Sequence, residues 1–74
     1  MSLKKEEFAK RVGASIRKHR KSKSITLQEL ALQSGIEYSQ VSRIERGIIN
    51  TSIYHVYVIS NTLNVPIRVI FYDL

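Results

Sequence analysis

Between residues 26 and 47 the chain spells out the start and stop of two short helices, and this punctuation constrains the fold more than any other feature. Thr26 followed three positions later by Glu29 is a capping box, in which each side chain takes the backbone N–H at the other's position. Gly35 stands where a left-handed residue would end that helix. A further helix is predicted from Tyr38 to Arg46, stopping at Gly47, with Ile36 plugging the turn before it. Leu27, Leu30, Ala31 and Ser34 form the inward stripe of the first of these helices, and Val41 and Ile44 that of the second.

On either side the signals are helical but less crisp. Residues 3–22 read as a first helix, since Phe8, Val12 and Ile16 recur every four residues beside Ala9 while Lys and Arg fill the other faces. Ser22-Lys23-Ser24 interrupts that pattern. The run from Ile53 to Ile59 is β-branched and aromatic, which favours a strand by propensity. It does not alternate, however, and Ile53, Val56, Ile59 and Leu63 make a helical stripe that Ser52 can cap, so a helix is predicted over 53–63. Asn64 can take the left-handed stop, and Pro66 the first turn of the next segment. The tail from Ile67 to Leu74 is a short helix at best, with a strand as the alternative. Taken together this is an all-α reading with five helices, forming one domain across 1–74 without linker, repeat or low-complexity tract.

Composition narrows the chemistry. Seventy-four residues leave room for one domain, and the absence of cysteine removes disulfide scaffolds and thiolate zinc sites. No apolar run approaches the ~20 residues a bilayer span requires, and MSLKKEEF has no hydrophobic stretch behind its charges, so the expectation is a cytoplasmic protein. His19 and His55 fall on different helices with no carboxylate at ligand spacing, the three glycines are isolated, and no oriented nucleophile is signalled. Neither a metal, a cofactor nor enzymatic activity is therefore expected. The net charge of +6 is lopsided: residues 1–24 carry +7, residues 25–47 carry −1, and the rest cancels. Such a pole attracts polyanions, and equally describes a solvated helix face.

Two short helices joined by a turn containing Gly35 have the form of a helix-turn-helix, here about 26–47. Its outer helix must present projecting polar groups to a major groove. At about 100° per residue, Ser39, Gln40 and Arg43 fall opposite Val41 and Ile44, and Tyr38 sits at the probing end. Gln can pair with adenine and Arg with guanine, while Tyr38 could meet a thymine methyl or a phosphate. A plain three-helix core with a polar outer face meets the same description.

The segments Gly13-Ala-Ser-Ile-Arg-Lys-His-Arg20, Ile25-Thr-Leu-Gln-Glu-Leu-Ala31, Ser34-Gly-Ile36 and Val41-Ser-Arg-Ile-Glu-Arg-Gly47, together with Leu63-Asn-Val-Pro66, resemble the Cro/repressor-type helix-turn-helix family, also called the xenobiotic-response-element family. The similarity covers about residues 12–70. It implies a compact five-helix, lambda-repressor-like DNA-binding domain that reads double-stranded DNA, usually as a homodimer on an inverted repeat. Residue by residue it implies base reading by Tyr38, Ser39, Gln40 and Arg43, and a structural ion pair between Arg20 and Glu45. It implies phosphate contacts from Arg46, Asn50 and the start of the second helix, where Thr26 and Gln28 stand, with Lys21 and Lys23 able to add to them if they face the DNA.

Departures from the family matter too. Leu27 replaces a glutamine that touches phosphate in many relatives, and Ile48-Ile49-Asn50-Thr51 replaces the basic residues and proline common after the glycine. Ile48 and Ile49 are expected to fold inward, with a partner-facing role as the alternative. Ile67, Val69, Ile70, Phe71, Tyr72 and Leu74 exceed what one face of a short helix can bury, so a dimer contact is expected over 64–74, through Ile67, Ile70, Phe71, Tyr72 and Leu74, the alternative being that Phe71 and Ile67 cap the monomer's own core while the rest fray. The competing function is an antitoxin or other protein-interaction module on the same fold, holding a toxin or another operon-encoded protein, with DNA binding secondary. A membrane-surface role ranks last, because the first helix spends its apolar face on the core. Operator sequence and direction of regulation are not legible.

Overall fold

A computed structural model describes residues 3–48 and 51–72. Five helices succeed one another: α1 Lys5–Ser22, α2 Leu27–Ser34, α3 Tyr38–Arg46, α4 Ile53–Thr62 and α5 Ile67–Tyr72. No strand occurs among the described residues. Packing runs in a closed circuit, α1 on α3, α3 on α2, α2 on α4, α4 on α5 and α5 back on α1.

The helix ends obey local chemistry. Thr26 Oγ1 accepts the Glu29 N–H at 3.1 Å while Glu29 Oε1 accepts the Thr26 N–H at 2.8 Å, completing the capping box. Gly35 and Gly47 end α2 and α3 at φ 75° and 70°. Ser52 Oγ accepts the His55 N–H at 3.1 Å, and Asn64 takes the left-handed turn at φ 60°. Ser24, within the Ser22–Ser24 interruption, is left-handed as well, at φ 57°. At α1 the carboxylates Glu6 and Glu7 occupy the first turn and His19, Arg20 and Lys21 the last, each sign suited to the helix dipole.

The core draws on every element: Val12 and Ile16 from α1, Leu30 and Ala31 from α2, Ile36 from the turn, Val41 and Ile44 from α3, Val56 and Ile59 from α4 with Leu63 at its end, and Ile70 from α5. The strand propensity of 53–59 therefore yields to the 3.6-residue stripe, which is the pattern that can be buried against α2 and α5. The stripe starts a turn later than expected, because Ile53 stays 65 % exposed. Phe8 likewise lies at the margin and not in the core, stacked on Phe71 with ring centroids 6.3 Å apart.

At the tail the packing follows the alternative in which Ile67 and Phe71 cap the core. Helix α5 lies against both α1 and α4 and is covered from two sides. Ile70 is wholly buried, and Ile67 and Phe71 pack partly buried against the core. A one-sided estimate of what a six-residue helix can bury thus overcounts the surplus. Ile70 is not available to a partner, only Tyr72 stands fully out, and Leu74 lies outside the described residues. Ile48 is also corrected: it is 60 % exposed. Its N–H bonds the Arg43 carbonyl while that of Gly47 bonds Ile44, the Schellman turn, yet its side chain stays in solvent. Ile49 and Asn50 lie outside the described residues.

Candidate nucleic-acid interface

One end of α3 is clamped. A Cβ on Gly13 would lie 2.3 Å from the Ile44 carbonyl oxygen and 2.5 Å from that of Glu45, so α1 touches the last turn of α3 backbone to backbone. Gly47 is pressed in the same way, with Lys10 Cα 2.5 Å from the position of a Cβ. Across this contact Arg20 Nε donates to Glu45 Oε2 at 2.6 Å and Nη2 to Oε1 at 3.0 Å, a two-pronged pair with side chains only 11 % and 5 % exposed. Arg20 Nη1 also donates to the Ile25 carbonyl at 2.8 Å. One guanidinium thus joins α1, α3 and the lead-in to α2. Its hydrogen bonds to Glu45 raise the Arg20 pKa above its ordinary value and outweigh the opposing effect of burial.

The outer side of α3 is open. Tyr38 is half exposed, and Ser39 and Arg43 are exposed. Ser39 Oγ donates to Glu37 Oε1 at 3.1 Å. Gln40 is half-buried, its Nε2 lying 3.3 Å from Nδ1 of His55 on α4. Arg46 is exposed, with Nε donating to the Ser42 carbonyl of its own helix at 3.3 Å. Gln28 and Tyr38 line a single shallow depression with Leu32, Gly35 and Glu37, so the starts of α2 and α3 form one surface. At α2 the cap occupies the Glu29 N–H, while those of Leu27 and Gln28 precede the first intrahelical acceptor and point out of the helix start. Thr26, Lys21 and Lys23 are exposed.

Two neighbours of the N-terminal half of α3 escaped the sequence analysis. Glu37 places a carboxylate directly before Tyr38, a charge legible in sequence as a modulator of that end. His55 reaches Gln40 from another helix, and only the fold brings them together. Among the described residues no cluster of three His, Cys, Asp or Glu could hold a metal ion.

The sequence profile of the helix-turn-helix family matches residues 16–70. The chain belongs to the helix-turn-helix family. It is of the Cro/repressor type, and the family is one of DNA-binding transcriptional regulators, not of enzymes. It is 38 % identical over 61 residues to the HTH-type transcriptional regulator SlrR of Bacillus subtilis (strain 168), a match covering 81 % of this chain and 40 % of SlrR. The chain therefore spans about two fifths of the length of that relative. Among solved structures it resembles the restriction-modification controller protein C.AhdI from Aeromonas hydrophila, with TM-score 0.85 and 28 % identity over 88 % of this chain and 98 % of that one. It also resembles SinR, a master regulator for biofilm formation solved in complex with DNA, with TM-score 0.77 and 34 % identity over 81 % and 97 % of the two chains. The five-helix, lambda-repressor-like fold of this helix-turn-helix protein is common to these regulators.

Proposed function

We propose that this helix-turn-helix chain is a sequence-reading, double-stranded-DNA-binding transcriptional regulator of the cytoplasm, acting as a homodimer on an inverted repeat with α3 in the major groove. The observation that carries this reading is the contrast along α3, which is immobilised at Glu45 and offers Tyr38, Ser39, Gln40 and Arg43 at its outer side. Base edges would be read by those four residues, with Arg43 suited to guanine and Gln40 to adenine. Arg46, Lys21, Lys23, Thr26 and Gln28 would meet phosphates, assisted by the open N–H groups of α2. Asn50 keeps its phosphate role as a matter of resemblance alone.

The dimer contact is redrawn. With Ile70 in the core, exposed apolar side chains of α1, α4 and α5 that could meet a second copy are Phe8, Ile53, Tyr54, Tyr57 and Tyr72, with Tyr54 and Tyr57 ring-to-ring at 6.3 Å. Half-sites would then fall about one helical turn, ~34–36 Å, apart. Exposed Ile48 favours a second reading, in which this chain holds a protein partner such as a toxin and binds DNA secondarily.

The test is selection of sites from a random duplex pool at near-physiological salt. An enriched inverted repeat is expected for the dimeric regulator. A pool that never converges rejects it in favour of the protein-partner reading, since phosphate contacts alone confer no sequence preference.

A further inference from the structure

One side chain at the reading end of α3 is held from outside the helix-turn-helix. The Ser52 cap fixes the first turn of α4 by accepting the His55 N–H, and the neighbouring Val56 is anchored in the core. The imidazole is thereby stationed beside α3, with Nδ1 3.3 Å from Gln40 Nε2 and 3.3 Å from Thr51 Oγ1. Gln40 and His55 are both half-buried, whereas Tyr38, Ser39 and Arg43 around them are exposed.

A carboxamide has one carbonyl and two N–H groups. Pairing with adenine uses the carbonyl and the N–H on the same edge, against N6 and N7. The second N–H points away from that edge and needs another acceptor. An imidazole nitrogen accepts only when its proton sits on the other nitrogen. We propose that His55 is a specificity-determining positioning residue: its Nδ1 accepts the second N–H of Gln40 and turns the mixed carbonyl/N–H edge outward, so that Gln40 reads adenine. The opposite tautomer would demand the Gln40 carbonyl and leave two donors outward, an edge matched to the acceptors N7 and O6 of guanine. This inference rests on the base-reading role proposed for Gln40.

Site selection from a random duplex pool with wild type, Gln40→Ala, His55→Leu, His55→Asn and the Gln40→Ala/His55→Leu double variant tests it. Gln40→Ala should abolish the adenine preference at one step per half-site. His55→Leu should reduce that preference about 3–10-fold at the same step and leave the other steps alone, a part of what one bidentate pair contributes. His55→Asn, which sets an amide oxygen near the place of Nδ1, should restore it, and the double variant should match Gln40→Ala alone. If Gln40→Ala leaves the motif unchanged, the base-reading role and the inference both fall. If Gln40→Ala relaxes one step and His55→Leu none, or weakens all steps alike, the inference alone falls. Long-range nitrogen NMR of the unmutated protein supplies a test that needs no variant. The neutral ring should carry its proton on Nε2, and a proton on Nδ1 overturns the proposal.

Discussion

At its C-terminal end α3 has no freedom: Glu45 is buried against Arg20, Gly13 admits no side chain, and Gly47 lies on the backbone of Lys10. On its outer side the same helix has Tyr38 half in solvent, Arg43 exposed, and Gln40 beside the His55 ring. The difference separates two jobs on nine residues. Residues of the closed end set where the helix lies, so changing them should cost stability and every DNA contact together. Residues of the outer side can change without disturbing the fold, so their loss should appear in base preference.

Breaking the closed end should give the largest effect. Glu45→Ala leaves the Arg20 guanidinium inside the domain with only the Ile25 carbonyl, and denaturant unfolding should show a loss of about 3 kcal/mol, the low end for a broken buried pair. Gly13→Ala should cost about 1–3 kcal/mol, because its methyl meets carbonyl oxygens that no rotamer change can move. DNA affinity should fall with it for every sequence as α1 and α3 are pushed apart. On the exposed side of α3, stability should stay within about 0.5 kcal/mol of wild type. Arg46→Ala should there weaken all duplexes alike and flatten the salt dependence by about one unit, as expected for one phosphate contact.

The smallest effect concerns the α2 cap and is read in pH. Hydrogen bonds from the Thr26 backbone and hydroxyl hold the Glu29 carboxyl below its ordinary range. A depressed folded-state pKa means that its stabilising contribution is complete above the unfolded value, about 4.3, and is lost as pH falls through the lower, folded one. The stability gap between wild type and Glu29→Gln should therefore be widest near neutrality and close in acid. A gap that widens in acid would contradict the assignment.

The same division explains what could be read from sequence. Thr26 with Glu29, Gly35, Gly47, Ser52 and Asn64 are legible because capping is decided within four residues. The lateral limits of the core are not, since they depend on what lies across the fold. Phe8 and Ile53 match their helical stripes but stay exposed at the margin, Phe8 against the Phe71 ring, while Ile70 is covered on a second side that only the placement of α5 creates. At the interface the outward side of α3 follows from its period. The Gln40–His55 contact does not, because the two residues meet only once α4 has docked. Ile48 runs against expectation: it stays exposed although its hydrophobicity alone would place it inward.

The central claim is that the outer side of α3 reads bases. Site selection with wild type and Arg43→Ala, side by side on one random duplex pool, tests this most directly. The expected result is an inverted repeat for both proteins, with one position per half-site relaxed in the variant and a penalty of about 1–3 kcal/mol on the wild-type site. An unchanged motif, or an equal loss at every position, would mean that Arg43 is not a reader and that this face of α3 does not choose the operator.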